Sequence, residues 1–537
     1  MLQQDVQRVL QYADRHANRI HENKGVRLSS DTRACDVLVT GGGLAGLTFA
    51  LQLVRRRPSL HIVLVDEGHR PAPERTSTIG ESFAEVGAHY LRDVLSLHDH
   101  LDAHQLPKFG LRFFVGNAFD LADRFEIGPL SPAICEFTDG RFAGLPLRTH
   151  QVDRARLENE LAVRCRAEGV SVCQGTRVES VALDGAGHRV TMTGEHDGQF
   201  AARWVVFAGG AHRPSPRRDR RPLGHRVQAA WLRVSEDLDV GTWSARTDFA
   251  NRAPPGFRRF STNHFMGRGY WIWVIALPSG VTSVGVVVDP DVLALTPSNP
   301  AELVDWIAAR DKRLATELAA VTPVPGDFHV ADIEASIATP CFSEDRWAVV
   351  GHAAAFVDVL YSPGADLIAI GNTLLVDLIE RDLDTQRIVG ASALCERVFG
   401  GFVEGLVDIY RGQYVHFDRP NHVATKVVWD SALYFGFHTL LFRHGLFGDP
   451  GFLAHLRPEL RAIQSLQARV QSRMRRGDIT PLFPEGTTTI DWGEIDWLID
   501  TYLGAKAQPN AGAVRAQLSK VLATLEHVAR HIEGAAG

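Results

Sequence analysis

A glycine-rich turn between two apolar segments limits what this chain can fold into. The apolar run at 37–40 leads into Gly41-Gly42-Gly43-Leu44-Ala45-Gly46, a second apolar stretch extends from 47 to 54, and another strand-like run covers 62–65. Strand, helix and strand in this order predict a βαβ unit that binds a dinucleotide. Glycines let backbone N–H groups approach a pyrophosphate, and the helix N-terminus adds partial positive charge.

An acidic pair ends the second strand-like run of this unit. Asp66 and Glu67 follow Val65 directly. In a dinucleotide site, a carboxylate at this place accepts hydrogen bonds from ribose hydroxyls. We interpret Glu67 as that carboxylate and Asp66 as the second candidate. A glycine cluster alone often marks only a turn, so the prediction depends on glycines and acid occurring together.

The composition argues against several classes of protein. The 537 residues are 45% hydrophobic and 22% charged, with a formal net charge of −6. We expect a globular protein without the broad basic surface that binds nucleic acid. Six cysteines without C-x-x-C pairing indicate reduced thiols, no metal site and a cytoplasmic location. No apolar stretch is long enough to span a membrane, and the N-terminus lacks the pattern of a secretion signal.

Changes of pattern divide the chain into three segments. Residues 1–33 are polar and helix-like, and residues 34–395 alternate strands with helices. Within this body, β-forming residues concentrate at about 225–290 and predict a second, mixed sheet. From 396 to 537 the pattern is helical. The sequence therefore predicts an α/β protein with a Rossmann-like nucleotide-binding part, a second sheet and a C-terminal helical region.

Further segments follow the glycine turn in a fixed order. They are Ile79-Gly80-Glu81-Ser82, Gln151-Val152-Asp153-Arg154, Trp271-Ile272-Trp273-Val274-Ile275, 283–289 and Phe356-Val357-Asp358-Val359-Leu360-Tyr361-Ser362-Pro363-Gly364. Over roughly residues 34–390 this order resembles that of flavin-dependent halogenases. The resemblance implies the flavoprotein monooxygenase fold. It also implies an FAD site, to which we assign the glycine turn with Glu67 and the residues Glu81, Ser82, Gln151, Arg154, His352, Asp358 and Gly364.

The same resemblance implies a reaction and its partners. Members of that family combine reduced FAD, usually supplied by a separate flavin reductase, with O2 and a halide ion. The hypohalous acid formed reaches an electron-rich substrate through an internal tunnel. We therefore expect halogenation of a small aromatic or enol-like molecule of secondary metabolism, free or tethered to a carrier protein, and no nucleic-acid or membrane partner.

Trp271 and Trp273 match the paired tryptophans of the family's W-x-W-x-I-P motif, although Ala276 replaces the proline. Alternate residues of a strand share a face, so two tryptophans also suit an ordinary sheet core. The resemblance favours a wall between flavin and substrate.

Lys108 is the candidate for the lysine that, in this family, hydrogen-bonds or captures the hypohalous acid. It leads the strand-like run 109–114, so we expect it to open that strand. The alternative is a solvated lysine at a strand entrance, because lysines are mostly exposed.

Two residues depart from the family pattern. The family's halide is held by two backbone N–H groups just after Ser362, at Pro363 and Gly364, and proline has no N–H. We assign the candidate halide site to Ser362 and Gly364, with an affinity lowered roughly ten- to a hundredfold by the missing donor. His352 stands where related flavoproteins usually carry an aspartate beside the ribityl chain, and a neutral imidazole can still donate or accept there.

Several alternatives stay open at this point. Direct oxygenation of the substrate needs no halide, and Lys108 or Tyr361 would then be the catalytic donor beside the substrate. A reductase of carbon–carbon double bonds and a non-catalytic binding protein share the same fold. Aromatic residues of the helical region could line a substrate pocket, although core packing is commoner. They are Phe402, Tyr410, Tyr414, Trp429 and Tyr434.

Overall fold

The computed structural model describes residues 32–73, 80–129, 148–184, 187–209, 219–384, 388–505 and 510–534. The predicted N-terminal segment 1–33 lies outside these ranges except for its last two residues, and Ile79 also lies outside. Within the described ranges the chain forms two large sheets, a two-stranded sheet and many helices.

The described residues form eighteen strands. They are β1 (Thr32–Thr40), β2 (Ile62–Val65), β3 (Leu106–Lys108), β4 (Leu111–Val115), β5 (Phe125–Gly128), β6 (Thr149–Gln151), β7 (Ser171–Cys173), β8 (Thr176–Ala182), β9 (His188–Gly194), β10 (Gly198–Phe207), β11 (Arg220–Val234), β12 (Thr262–Gly267), β13 (Tyr270–Ala276), β14 (Thr282–Val288), β15 (Pro323–Ala338), β16 (Trp347–Val349), β17 (Ala355–Phe356) and β18 (Thr489–Asp491).

The first large sheet carries the glycine turn. Its strand order is β7-β2-β1-β10-β9-β8, and β16 also pairs with β10. The strands β7, β2, β1, β10 and β16 are mutually parallel, whereas β9 and β8 pair antiparallel. All four residues of β2 are buried, as expected for an apolar strand with both faces covered.

The second large sheet has nine strands in the order β17-β15-β11-β14-β13-β12-β4-β5-β18. It therefore extends well beyond the predicted range 225–290. The C-terminal region, predicted to be helical, contributes the edge strand β18 beside β5. A small antiparallel pair, β3 with β6, stands apart.

Sixteen α-helices lie in the described ranges. They are α1 (Leu44–Arg56), α2 (Glu85–His89), α3 (His98–His104), α4 (Arg154–Ala167), α5 (Thr247–Ala250), α6 (Phe257–Phe260), α7 (Pro300–Ala308), α8 (Lys312–Ala319), α9 (Gly364–Leu383), α10 (Val389–Tyr410), α11 (Pro420–Leu433), α12 (Leu440–Arg443), α13 (Pro450–His455), α14 (Arg457–Arg476), α15 (Asp496–Gly504) and α16 (Ala511–Ile532). Single π-helical turns occur at Tyr90–Val94 and Tyr434–Thr439. Short 3₁₀ turns occur at Leu121–Asp123, Val240–Thr242, Gly351–Ala353, Tyr414–His416, Leu446–Gly448 and Trp492–Glu494.

Helix packing brings the nucleotide-binding part against the C-terminal region. The apolar helix α1 packs against α4 and α9, and α9 packs against α10. Since α10 spans 389–410, the predicted boundary at 395/396 falls inside a helix. The α/β fold class with two sheets and C-terminal helices is confirmed.

Candidate active site

A cavity of about 570 Å³ opens at the carboxyl ends of the parallel strands of the first sheet, and we call it the first cavity. Ligands of open α/β sheets bind at this edge, and the volume lies in the range of small-molecule sites. The lining residues include 41–45, 80–83, 208–209, 356–359 and 362–365.

The glycine turn forms one wall of the first cavity. Gly41 has a φ of 107°, and a Cβ there would lie 2.6 Å from the Cα of Gly209. A Cβ on Gly46 would lie 2.0 Å from the carbonyl oxygen of Gly41, so both positions require glycine. Gly43 precedes α1, and a Cβ there would meet nothing within 4 Å. The start of α1, which includes Ala45, thus offers free N–H groups to an anion in the cavity.

Asp66, and not Glu67, lines the first cavity. Its carboxylate lies against the turn, because a Cβ on Gly42 would be 2.4 Å from Asp66 Oδ2. The Glu67 side chain is 37% exposed and pairs with Arg177 at 3.3 Å. Of the two acids, the second candidate Asp66 and not the preferred Glu67 is placed at the cavity, because neighbouring residues after a strand point to different sides.

Glu81 and Ser82, both assigned above to the FAD site, line the first cavity. Arg233 donates to Glu81 Oε1 from Nε at 2.9 Å and from Nη2 at 2.6 Å, and it also donates to Asp327. Burial raises the pKa of Glu81 although Arg233 opposes the rise. Ser82 Oγ accepts from Ser362 Oγ at 3.1 Å, which ties the two lining segments together.

The segment at 151–154 contributes one predicted residue to the lining and not the other. Arg154 lines the first cavity and donates to Glu158 Oε1 at 2.6 Å. Glu158, which the sequence analysis missed, lines the cavity too and accepts from Arg70 at 2.7 Å. Gln151 is fully buried outside the lining, and its Nε2 donates to the carbonyl of Phe260 at 3.2 Å. Gln151, assigned above to the FAD site, therefore connects β6 to α6 and does not line the first cavity.

Trp271 and Trp273 both line the first cavity. Their ring centroids are 5.8 Å apart. Trp271 Nε1 donates to the Tyr414 hydroxyl at 2.9 Å, and Trp273 Nε1 donates to Ser283 Oγ at 3.0 Å. Both indole N–H groups are satisfied, so the two rings form a fixed wall that is also part of the core.

Asp358 lines the first cavity, but its carboxylate is held by the protein. It accepts from the backbone N–H groups of the next two residues at 2.6 and 3.0 Å and from the Tyr414 hydroxyl at 2.9 Å. His225 Nε2 lies 2.6 Å from Asp358 Oδ2. Asp358 therefore orients the loop before α9.

The end of this loop turns sharply between two cavities. Tyr361 and Ser362 have positive φ values of 67° and 61°, a conformation that costs a non-glycine residue roughly 1–3 kcal/mol. Ser362 lines the first cavity, whereas Tyr361 lines a second one. Pro363, the residue before α9, lines both.

His352 and Gly364, both assigned above to the FAD site, are neighbours in the lining of the first cavity. A Cβ on Gly364 would lie 3.9 Å from His352 Nε2. Desolvation, with repulsion from Arg154 and Arg220, lowers the pKa of His352 to about 4. A neutral imidazole therefore faces the cavity at pH 7.

The second cavity lies on the other side of Pro363, between the loop and the C-terminal helices. Its lining includes Lys108 and Tyr361 from the predicted site. Of the five aromatic residues singled out in the helical region, Tyr410 and Tyr434 line it. Residues that the sequence analysis did not anticipate are Glu85, Asp366, Asp430, His438 and Trp492.

Lys108 is buried, with 6% of its surface exposed. It ends β3, and two residues separate it from β4, so the expectation that it opens a strand is wrong. Its Nζ donates to the carbonyl of Phe83 at 2.9 Å, and Phe83 lines the first cavity. Burial lowers the pKa of Lys108 to about 8, although Glu85 and Asp366 oppose the change. Lys108 is therefore no solvated lysine, and it stands between the cavities.

A buried ion pair accepts the hydrogen bond of the Tyr361 hydroxyl. Lys426 Nζ lies 2.8 Å from Asp430 Oδ2, which also accepts from the Tyr361 hydroxyl at 3.2 Å. Gln471 donates to the other oxygen of Asp430 at 2.7 Å. The sequence signal for this pair was a lysine and an aspartate four residues apart in an otherwise apolar helix.

Comparison with known proteins also indicates a flavin-binding protein. The FAD binding domain family matches residues 34–275. The flavin-dependent halogenase chlA of Dictyostelium discoideum is 25% identical over 437 residues, which cover 74% of this chain and 68% of that protein. The flavin-dependent halogenase armH5 of Armillaria mellea is 25% identical over 359 residues, 63% of each chain, and thus less than two thirds of that relative's length. The solved structure of halogenase PltM in complex with phloroglucinol and FAD superposes with a TM-score of 0.63 at 15% identity, covering 92% of this chain and 96% of that one.

These findings define the protein as an FAD-binding oxidoreductase. Over most of its length the chain is similar to flavin-dependent halogenases, at 25% identity to chlA. The first cavity fits FAD, because the glycine turn and the start of α1 leave N–H groups open to an anion and the Asp66 carboxylate lines the same cavity. Within the described ranges, no helix is long and apolar enough to cross a membrane, and no cluster of three or more potential metal ligands occurs.

Proposed function

We propose that the protein uses reduced FAD, O2 and a halide ion to halogenate an electron-rich small molecule. The observation that carries this proposal is the position of Lys108, buried on the second cavity and hydrogen-bonded to a residue of the first. FAD supplies the oxygen-activating chemistry when bound, and a separate flavin reductase supplies its electrons. The name of halogenase chlA supports the choice of reaction.

Lys108 serves as the group that receives the oxidised halogen. One Nζ proton is used by the Phe83 carbonyl, so the other protons are available to hydrogen-bond a hypohalous acid in the second cavity. The lowered pKa, about 8, leaves a minor neutral fraction at neutral pH. Trp271 and Trp273 keep the substrate out of the first cavity. The hypohalous acid therefore passes from the first cavity to the second beside Pro363, while the substrate stays in the second.

The halide is held in the first cavity beside Ser362 and Gly364. Pro363 offers no N–H, but the N–H groups at the start of α9 have no partner within that helix. The positive end of α9 adds a favourable field for an anion. We expect halide affinity to be roughly ten- to a hundredfold weaker than with two loop donors.

Pro363 favours a second candidate, direct oxygenation without halide. In that case Lys108 or Tyr361 donates to the substrate in the second cavity, with Asp430 orienting the Tyr361 hydroxyl. Both candidates use the same two cavities, so the role of halide separates them.

The test follows one reaction with and without halide. The protein is reconstituted with FAD, reduced without oxygen, and mixed with oxygenated buffer containing bromide, chloride or neither. We expect halide to speed flavin reoxidation in a saturable manner and to yield hypohalous acid, measured with a chemical trap. Lys108→Met should lower halogen transfer to an added phenol by on the order of 10²–10⁴-fold, while the exposed Lys520→Met should not.

Two results would count against halogenation. Reoxidation that ignores halide, together with oxygen transfer to an added phenol, would favour the oxygenase. Release of neither hypohalous acid nor oxygenated product would leave the reductase and binding-protein alternatives.

A further inference from the structure

The indole of Trp271 is bonded to a buried hydroxyl, which is bonded in turn to a buried carboxyl group. Trp271 Nε1 donates to the Tyr414 hydroxyl at 2.9 Å, and that hydroxyl donates to Asp358 Oδ2 at 2.9 Å. His225 Nε2 lies 2.6 Å from the same oxygen of Asp358. We call Tyr414, Asp358 and His225 the first anchor. All three residues are buried, so water does not compete for these hydrogen bonds.

Trp273 has an anchor of the same construction. Its Nε1 donates to Ser283 Oγ at 3.0 Å, and the Ser283 side chain is hydrogen-bonded to the Glu81 carboxyl group. Arg233 donates to Glu81 from two nitrogens, at 2.9 and 2.6 Å. We call Ser283, Glu81 and Arg233 the second anchor. Both anchors therefore have the same order of groups: an indole, a hydroxyl, a carboxyl group and a buried basic side chain from β11.

The carboxyl group fixes the direction of the hydrogen bonds in each anchor. A carboxylate only accepts hydrogen bonds, and a hydroxyl has a single proton to donate. The proton of Tyr414 is used on Asp358 and that of Ser283 on Glu81, so each hydroxyl oxygen is left to accept from its indole. A ring that turned away would leave a buried N–H group without an acceptor, which is unfavourable.

Each carboxyl group is also held by donors other than the hydroxyl. Asp358 accepts from the backbone N–H groups of the next two residues at 2.6 and 3.0 Å, and Glu81 accepts from Arg233. Removal of one hydroxyl should therefore release one indole and leave its carboxyl group, and the other anchor, in place. The two anchors can thus be interrupted one at a time.

We propose that the hydroxyls and carboxyls of the two anchors are positioning residues, which hold Trp271 and Trp273 in the orientation that closes the first cavity toward the substrate. The role of this wall rests on the proposed function, and the anchors add the residues that keep the wall closed. Packing alone is the competing explanation. Trp273 also lies over Gly285, where a Cβ would be 2.1 Å from its ring, and Trp271 contacts the ring of His264 at a centroid distance of 5.3 Å.

Fluorine NMR of the full-length, FAD-reconstituted protein tests the anchors separately. The ten tryptophans are replaced by 5-fluorotryptophan, and the variants Trp271→Phe and Trp273→Phe assign the two wall resonances. We expect one narrow resonance for each ring in the unsubstituted protein. Tyr414→Phe should split or broaden only the Trp271 resonance, and Ser283→Ala only the Trp273 resonance. Loss of one hydrogen bond should raise the population of the displaced ring about fivefold.

A matched control and a turnover measurement separate positioning from a general loss of structure. Thr439→Val removes a buried hydroxyl that has no hydrogen-bond partner among the described residues, and it should change neither wall resonance. During turnover, Tyr414→Phe and Ser283→Ala should each release a larger share of hydrogen peroxide per flavin reoxidised than Thr439→Val does, because an open wall admits water to the first cavity.

Two patterns would overturn the proposal. Wall resonances that stay single and narrow in both variants would show that packing alone holds the rings. Broadening of both resonances in either variant would show a general loosening and no separate anchors. If Tyr414→Phe fails to fold, Ser283→Ala still decides, because it interrupts the other anchor. The spectra are recorded without reductant, O2 or added halide, so a failure of halogenation leaves them unaffected.

Discussion

The first and second cavities share Pro363 but are built from different parts of the chain. The first is shaped by backbone: glycines without room for a Cβ, strand ends and the start of α1. The second is shaped by buried side chains that meet from distant segments, such as Lys108 from β3 and Asp430 from α11. The first cavity is thus formed mainly by backbone, whereas the second is formed mainly by side chains.

This difference decides what each cavity tolerates. Backbone geometry at the first cavity forbids particular atoms, so a single methyl group can obstruct it. The second cavity depends on compensated charges in a desolvated space, so removing one partner leaves the other unpaired.

The largest effect on stability is expected at the buried ion pair of the second cavity. Lys426→Met would leave the Asp430 carboxylate without its cation, at a cost of about 3–5 kcal/mol in the free energy of unfolding. The measurement is urea unfolding followed by circular dichroism. The control is Lys520→Met, whose pair with Asp500 at 3.4 Å is well exposed and should contribute at most about 1 kcal/mol. Equal losses for the two variants would contradict the buried network.

A smaller effect is expected from one methyl group at the first cavity. In Gly46→Ala the new Cβ would lie 2.0 Å from the carbonyl oxygen of Gly41, and the forced shift should cost about 1–3 kcal/mol. FAD content after purification and the melting temperature measure it. Gly405→Ala, inside α10 with nothing within 4 Å of the added Cβ, should stabilise by about 0.4–1 kcal/mol. Normal FAD retention by Gly46→Ala would refute the close approach.

The contrast between the cavities also explains what could be predicted from the sequence. The glycine turn, Trp271 and Trp273 lie in short segments whose spacing fixes their geometry, and all reach the first cavity. Predictions that needed the direction of a single side chain were less secure. Glu67 and Gln151 do not line the first cavity for that reason, since one residue of register decides which side a side chain takes.

The second cavity was largely beyond prediction for a different physical reason. Asp366 lies two residues after the predicted halide loop, yet its partners are Gly87 and Tyr434, far away in the chain. No pattern of neighbouring residues in the sequence indicates that these distant residues will be in contact. Lys108 was found by order within the chain, but its burial and its contact with Phe83 depend on the packed fold.

A tenfold effect is expected for the corrected acid of the first cavity. Asp66→Asn removes the charge that would accept from ribose hydroxyls and should weaken FAD binding about tenfold, or about 1.4 kcal/mol. Fluorescence titration of the apoprotein with FAD measures it. The neighbouring Glu67→Gln, outside the cavity lining, is the matched control and should leave the affinity unchanged. The reverse ranking would restore Glu67 as the ribose ligand.

The last prediction concerns how the free energy of unfolding changes with pH. The folded-state pKa of Asp366, about 7, exceeds the value near 3.9 of an unfolded chain, so between these values the folded protein binds more protons than the unfolded one. The Asp366 contribution to stability is therefore present at low pH and is lost as pH rises through this window, by up to about 1.4 kcal/mol per pH unit. Asp366→Asn should remove that slope in unfolding free energies measured at pH 4.5, 5.5 and 6.5. Asp332 is an exposed aspartate whose pKa is lowered by Arg226, so it titrates below this pH range. The unfolding free energy of Asp332→Asn should therefore change with pH as that of the unsubstituted protein does. If the unfolding free energy of Asp366→Asn changes with pH as that of the unsubstituted protein does, Asp366 is not a buried carboxyl whose pKa is raised by desolvation and by Glu85.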